Sequence, residues 1–144
     1  MILADEMLAK SKQLVYLMAN RDFTGILLGG LPNQAWLLPG LKPHTPLIAE
    51  TSKVLLHIAP SGKLTIVAPN NEIEQIKDEI ATLAAVDYYS YPWYRDERLE
   101  IARHWIEGGR IGSDQPTPNT VLIAKDMERL RAVLTEPEQT RYRV

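Results

Sequence analysis

The hydrophobic pattern at the start of the chain predicts an amphipathic helix followed by short buried strands. Five positions recur at the spacing of one helical face: Met7, Ser11, Leu14, Val15 and Met18. The polar triplet NRD at 20–22 ends this helix. The next run, FTGILLGG at 23–30, is apolar, bounded by glycines and typical of a buried strand. A similar run, NQAWLLPG at 33–40, ends at Pro39-Gly40 and predicts a second strand.

The clearest local pattern is KVLLHIAPSGKLTIVAP, residues 53–69. Two runs rich in β-branched and aliphatic residues, 54–59 and 64–68, flank a four-residue turn at 60–63. This arrangement predicts a β-hairpin.

The rest of the chain alternates between helical and strand patterns. Ile73, Ile76, Ile80 and Leu83 predict a helix capped by Asn70 or Asn71. VDYYSYPWY at 86–94 predicts a strand that enters a loop at Pro92. Leu99, Ala102, Trp105 and Ile106 share one face of a further helix, which stops at Gly108-Gly109. RIGSD predicts a short strand, QPTPN a turn, and 126–134 a last helix.

This order of elements predicts the fold class. Alternating helices and strands favour an α/β, three-layer arrangement in which a central sheet is flanked by helices on both faces. The hairpin requires neighbouring antiparallel strands, so the β-sheet is expected to be mixed.

Composition narrows the class of protein. The 144 residues, 45% hydrophobic and 24% charged, are typical of one globular domain with a real core. A net charge of −2 offers no electrostatic reason for a nucleic acid or an anionic membrane as partner. Cysteine is absent, which excludes disulfides and thiolate zinc sites. The sequence has neither an apolar run of signal-peptide length nor a membrane span, so we expect a soluble, cytoplasmic protein.

The chain shows no recognisable catalytic set. His57 lies in an apolar run and is expected in the core or at a sheet edge, whereas His104 is expected to be solvated. His44 lies in a proline-rich loop and is the best functional candidate of the three histidines. Gly29-Gly30 lacks a G-x-G-x-x-G context and is followed by Leu31-Pro32, so we interpret it as a tight turn. The acidic residues of the helices alternate with basic ones, a pattern typical of a solvated face.

The aromatic stretch DYYSYPWYRDE is the least ordinary segment. Five aromatic residues lie within seven positions: Tyr88, Tyr89, Tyr91, Trp93 and Tyr94. Because side chains alternate across a strand, they cannot all face one core. Two interpretations stay open: coverage of surface within the domain, or an interface, where Tyr and Trp are enriched.

Taken in order, these motifs resemble the N-terminal domain of the creatinase/prolidase/aminopeptidase P family. DFTGILLGG after the first helix, PNQAWLLPG, the hairpin KVLLHIAPSGKLTIVAP, RIGSD, and LRAVLTEPEQTRYR at 130–143 are similar to successive segments of that domain. Two positions depart from the family pattern, which has Thr-Gly where Leu38-Pro39-Gly40 stands and a lysine where Leu134 stands. The resemblance covers essentially the whole chain.

The resemblance implies a domain organisation. Residues 1–134 would form the creatinase/prolidase-type N-terminal domain, with a ribonuclease H-like motif. Residues 135–144 would open the linker and first helix of a following "pita-bread" catalytic domain. Thr135 and Glu138 have the spacing of a capping box at the start of such a helix.

The resemblance also implies a function. The chain would be the non-catalytic N-terminal domain of a Xaa-Pro peptidase of the prolidase or aminopeptidase P type, acting on proline-containing peptides and forming a homodimer. Two divalent metal ions, Mn, Co or Zn, are expected in the catalytic domain and none in this chain. The candidates for the mouth of the active site or a subunit interface are Trp36, His44, Tyr91, Trp93 and Tyr94.

Three alternatives stay open from the sequence. The chain could be a stand-alone interaction module of the same fold, or the N-terminal domain of a creatinase-type amidinohydrolase. A small α/β enzyme with an unrecognised site is the third, and the missing catalytic set makes it the weakest.

Overall fold

The computed structural model describes residues 2–38, 51–80 and 86–132. Helices α1 (Ile2–Arg21), α2 (Leu31–Leu37), α3 (Ile73–Glu79), α4 (Arg98–Glu107) and α5 (Ala124–Ala132) alternate with strands β1 (Gly25–Gly30), β2 (Thr51–Ile58), β3 (Leu64–Pro69), β4 (Asp87–Tyr91), β5 (Ile111–Ser113) and β6 (Val121–Leu122). None of the helices in these segments is both long and apolar enough to cross a bilayer.

The six strands form one mixed sheet in the order β4-β3-β2-β1-β5-β6. Strand β2 is antiparallel to both of its neighbours. The other contacts, β3 with β4, β1 with β5 and β5 with β6, are parallel. Strands β1, β3, β4, β5 and β6 therefore all run in the same direction, and their carboxyl ends lie at one edge of the sheet.

Helices cover both faces of the sheet, as the element order predicts. The larger core lies on the face of Ile26 and Leu28, where α1, α2, α3 and α5 contribute their apolar side chains. On the other face Leu27 packs against Ala102 and Ile106 of α4. Alternation along β1 places its successive residues on opposite faces. The predicted α/β architecture with a mixed sheet is confirmed.

The prediction of a strand at 33–40 is wrong, because residues 31–37 form α2. Pro32 lies in the first turn of this helix, where the missing N–H costs nothing and the fixed φ is compatible with helix. A short apolar run has no periodicity that separates strand from helix. The tight turn predicted at Gly29-Gly30 is also wrong, since both glycines belong to β1 and lead directly into α2.

Smaller corrections concern element ends. The N-cap residue of α3 is Glu72, not Asn70 or Asn71, and it makes no side-chain capping bond. The two-residue strand β6 was not predicted, and α5 starts at Ala124, two residues earlier than expected. Leu99, which by its spacing shares a helix face with Ala102 and Ile106, is 44% exposed. Leu83, Leu134 and the segment 135–144 lie outside the described residues.

Candidate functional site

The candidate site is the carboxyl edge of the sheet, where the loops after the parallel strands meet. Strand β1 leads into α2, β4 into the Trp93-Tyr94 loop, and β5 into the loop Asp114–Pro118. After β1 the chain builds β2, β3 and β4 on one side, then returns to β5 on the other side of β1. In open α/β sheets such a reversal leaves a crevice outside the carboxyl ends, where ligands commonly bind.

Asp114, directly after β5, holds the end of β1. Its carboxylate accepts hydrogen bonds from the backbone N–H groups of Gly29 (2.7 Å) and Gly30 (2.9 Å). A third bond comes from the side-chain amide of Asn33, at 2.7 Å. Asp114 is buried, and these three donors satisfy a carboxylate that would otherwise be costly to remove from water. The β1–α2 corner is thus attached to β5 by one side chain.

The same network reaches the last described helix. The guanidinium of Arg131 on α5 donates to the side-chain oxygen of Asn33, whose amide nitrogen already donates to Asp114. Gln34, the next residue of α2, donates to the carbonyl oxygens of Leu28 and Val54. These bonds link α5, α2 and strands β1, β2 and β5, so the edge is built from mutually supporting polar contacts.

Trp36 lies on α2 and is mostly buried. Lys10 of α1 donates to the Trp36 carbonyl oxygen, and its ammonium lies 5.4 Å from the centre of the indole ring. Within the described segments, the indole N–H of Trp36 has no hydrogen-bond acceptor. Packing and the Lys10 cation therefore hold the Trp36 side chain, and none of the described residues accepts a hydrogen bond from its indole N–H.

The aromatic stretch divides as the alternation of strand residues requires. Tyr91 is buried at the end of β4, and its hydroxyl donates to the carbonyl oxygen of Lys53. Burial raises the pKa of Tyr91 to about 12, so the phenol is a donor throughout the physiological range. Trp93 and Tyr94 are 60% and 74% exposed and pack edge to face, with ring centroids 5.6 Å apart. The backbone N–H of Trp93 donates to Asn70.

The structure brings only part of the sequence-predicted set together. Tyr91, Trp93 and Tyr94 are adjacent at the end of β4, whereas Trp36 follows β1, and strands β2 and β3 separate the two strands. His44 lies outside the described residues. The described residues nearest to it on either side, Leu38 and Thr51, follow α2 and begin β2, and Thr51 pairs with Gly30 at this edge.

A cleft of about 450 Å³ opens beside this edge, on the face covered by α4. An ion pair lies in its wall: Arg98 donates to Asp96 through Nε (2.9 Å) and Nη2 (2.7 Å). The guanidinium of Arg98 lowers the pKa of Asp96, and the carboxylate in turn raises the pKa of Arg98. Both groups are therefore charged at neutral pH.

The described residues show no metal centre. Among them, no group of three or more His, Cys, Asp or Glu side chains could hold a metal ion. His57 is buried in β2 against the ring of Trp105, and burial lowers its pKa to about 4. The expectation of a core histidine is confirmed there, and His104 is exposed as expected.

Sequence reasoning missed the polar residues that build the edge: Asn33, Gln34, Asp114, Arg98 and Arg131. A signal was present for Asp114, because an acidic residue directly after a buried strand lies at the carboxyl edge of a parallel sheet. Asn33 and Gln34 carried no comparable signal once their segment was interpreted as a strand. Arg98 belongs to the alternating acidic and basic pattern that predicts a solvated helix face.

No protein-family model matches the sequence, and no curated protein matches it. Several solved structures do match. The N-terminal domain of Xaa-Pro dipeptidase from Lactobacillus brevis has a TM-score of 0.61 at 15% identity, covering 83% of this chain and 98% of that one. Dipeptidase PepE from Mycobacterium ulcerans has a TM-score of 0.62 at 17% identity, covering 96% of this chain and 39% of its own. The prolidase from Pyrococcus horikoshii has a TM-score of 0.61 at 16% identity, with 91% and 37% covered.

At such low identities the likeness shows the fold. The chain has the fold of the N-terminal domains of Xaa-Pro dipeptidases and prolidases, which is the resemblance that its motifs predicted. It spans only 39% and 37% of the two longer chains.

Proposed function

We propose that this chain is the non-catalytic N-terminal domain of a Xaa-Pro peptidase of the prolidase or aminopeptidase P type. The observation that carries the proposal is the likeness to a separate N-terminal domain of a Xaa-Pro dipeptidase, which is covered over 98% of its length. Full-length dipeptidase and prolidase chains match over little more than a third of theirs. This pattern is expected of the first domain of a larger subunit.

In this proposal residues 1–134 form the domain, and 135–144 begin the linker to a catalytic domain. That following domain would hold two divalent metal ions, Mn, Co or Zn, and would cleave proline-containing peptides in the cytoplasm. The present chain contributes the wall of the active-site mouth and contacts between the subunits of a homodimer. It supplies no catalytic group.

The carboxyl edge is the surface that we assign to these contacts. Trp93 and Tyr94 support the assignment, because two large aromatic side chains stand exposed side by side on a loop fixed by Asn70. Trp36 lies on α2, which follows β1 at the same edge, and His44 lies between α2 and β2 in the sequence. Tyr91 fixes the start of the loop after β4, because its hydroxyl donates a hydrogen bond to the carbonyl oxygen of Lys53 on β2.

The test is an assay of two proteins. One is this 144-residue chain, and the other is the product of the same reading frame continued beyond residue 144. We expect the longer protein to hydrolyse Xaa-Pro dipeptides with added Mn²⁺, whereas the 144-residue chain should be inactive. A stop codon directly after Val144 would instead support a stand-alone interaction module. Amidine hydrolysis of creatine without dipeptidase activity would support the creatinase type.

A further inference from the structure

The cleft beside α4 is a candidate binding site to which the proposed function assigns no ligand. Its floor is apolar: Leu27 of β1, Leu55 of β2, and Leu99 and Ala102 of α4. The loop after β5 closes the opposite side with Pro116, Thr117 and Pro118. The volume of about 450 Å³ lies in the range of small-molecule sites, and the apolar lining with few polar groups is typical of them.

The position of the cleft follows from the order of the strands. It opens at the junction of β1 and β5, the two adjacent parallel strands between which the chain reverses its direction across the sheet. Gly29 of β1 and Ser113 of β5 both contribute to the lining. Ligand sites in open α/β sheets concentrate at this type of junction. Among the described helices, α4 packs on this face, and Leu99 remains 44% exposed at the mouth.

Occupied backbone donors disfavour a phosphate as the ligand at the end of β1. A phosphate at the end of β1 would need the backbone N–H groups of Gly29 and Gly30, but the Asp114 carboxylate already accepts both. The positive charge of Arg98 is balanced by Asp96 in a two-bond ion pair. The charges of Arg98 and Asp96 thus sum to zero, Lys53 of β2 adds a positive charge near Asp96, and the N–H groups that a phosphate would need are occupied.

The ion pair fits a ligand that carries both charges itself. The side chain of Asp96 is 59% exposed and that of Arg98 28%, so both are reachable from solvent. An α-amino acid places an ammonium and a carboxylate on one carbon. Its carboxylate can pair with Arg98 while its ammonium pairs with Asp96, and neither protein group is left without an opposite charge.

We propose that the cleft binds a free α-amino acid with an apolar side chain. The charged end of the ligand meets Asp96 and Arg98, and its side chain lies on the floor formed by Leu27, Leu55 and Leu99. The cleft belongs to this chain alone, so binding can be measured whether or not a catalytic domain follows. Failure here would leave the proposed peptidase function untouched.

The first experiment is a calorimetric titration of the chain with L-leucine and three analogues that each lack one feature. Leucine amide lacks the carboxylate, N-acetyl-leucine lacks the ammonium, and glycine lacks the side chain. We expect saturable binding of leucine and at least about tenfold weaker binding of each analogue, since each loses a charged hydrogen bond or the apolar contact. No saturable binding of leucine, or equal binding of N-acetyl-leucine, would overturn the proposal.

The second experiment compares variants at the two ends of the ligand. Arg98→Met and Asp96→Asn should each weaken leucine binding about tenfold or more. Leu99→Gln leaves the ion pair intact and should reduce the preference for leucine over glycine. Arg129→Met is the matched control, because Arg129 is 79% exposed on α5, on the opposite face of the sheet. This variant should bind leucine as tightly as the parent protein does.

Circular dichroism melting of each variant separates loss of the site from loss of the fold. If Arg98→Met unfolds, Leu99→Gln still tests the floor, since Leu99 is 44% exposed and its replacement should leave the core intact. Leucine affinity unchanged in both Asp96→Asn and Leu99→Gln would reject this cleft as the binding site. Amide shifts on leucine addition confined to Gly29, Ala102 and Gln115 in an NMR titration would support it.

Discussion

The imidazole of His57 stacks on the indole of Trp105, with ring centroids 4.0 Å apart and planes within 3° of parallel. His57 lies in β2 and Trp105 on α4, so the stack joins the sheet to this helix. The ring of Tyr89 on β4 meets the Trp105 indole edge to face, with ring centroids 6.3 Å apart. His57 is 6% exposed, and Gly25 on β1 is needed beside it, because a Cβ there would come within 2.8 Å of its Nε2.

This burial predicts a loss of stability on acidification. Burial, with a smaller contribution from His104, lowers the pKa of His57 from 6.5 to about 4. The unfolded chain therefore binds a proton between about pH 6.5 and 4 that the folded chain does not. The contribution of neutral His57 to the free energy of unfolding is therefore complete above pH 6.5. It falls by about 1 to 3 kcal/mol as the pH drops from 6.5 to 4.

Denaturant unfolding of the parent and of His57→Leu at pH 7, 6, 5 and 4 measures this effect. The leucine variant should be less stable at pH 7, because the stack is lost, but its stability should fall less steeply toward pH 4. His104→Gln should flatten the pH dependence only slightly, since His104 is exposed and makes the smaller contribution to the pKa shift of His57. Parallel pH curves for the parent and His57→Leu would show that His57 does not titrate differently on folding.

Removal of the Asp114 carboxylate should destabilise the fold strongly. Asp114→Ala leaves the buried donors of Gly29, Gly30 and Asn33 without their acceptor, and we expect a loss of about 2 to 4 kcal/mol in the free energy of unfolding. Urea denaturation at pH 7 measures it. Glu128→Gln, an exposed acidic residue, should change the value by less than about 0.5 kcal/mol. If Asp114→Ala lowers the free energy of unfolding as little as the control does, the Asp114 hydrogen bonds do not stabilise the fold.

Gly109 is required by the close approach of Thr24. A Cβ at position 109 would lie 2.0 Å from the Thr24 Oγ1 and 2.9 Å from its Cβ. Gly109→Ala should therefore destabilise the protein by about 1 to 3 kcal/mol in thermal or urea unfolding. The double variant Thr24→Gly/Gly109→Ala should lose less than the sum of its single variants, because the clash partner has been removed. Strict additivity would rule out the steric cause.

Trp93 is expected to act between molecules rather than within one. At 60% exposure its side chain contributes little to the core, so Trp93→Ala should change the free energy of unfolding by less than about 1 kcal/mol. It should nevertheless weaken self-association in sedimentation velocity. Tyr16→Ala, which removes a 70% exposed aromatic side chain from α1, is the matched control. An unchanged monomer–dimer equilibrium for Trp93→Ala would count against the aromatic loop as an interface.

The candidate site could be predicted only in part. The aromatic stretch was identifiable because five aromatic residues on one short segment exceed what one strand face can bury. The hydrogen bonds of Asp114 could not be predicted, because its partners Gly29 and Asn33 lie more than eighty residues away along the chain. The buried pair Glu6 and Lys10 on α1 was also outside any local pattern. No local pattern within the first helix predicts that two of its charged residues face the interior.

The sequence alone determined the elements whose pattern is periodic or bounded: the first helix, the hairpin and the alternation that makes an α/β sheet. Periodicity is a local property, and the burial of one face follows from it. Tertiary structure decided the state of residues 31–37, because Gln34 finds carbonyl acceptors on β1 and β2 only when α2 docks there. It also decided the cleft and the polar edge, since both arise where strands distant in sequence end side by side.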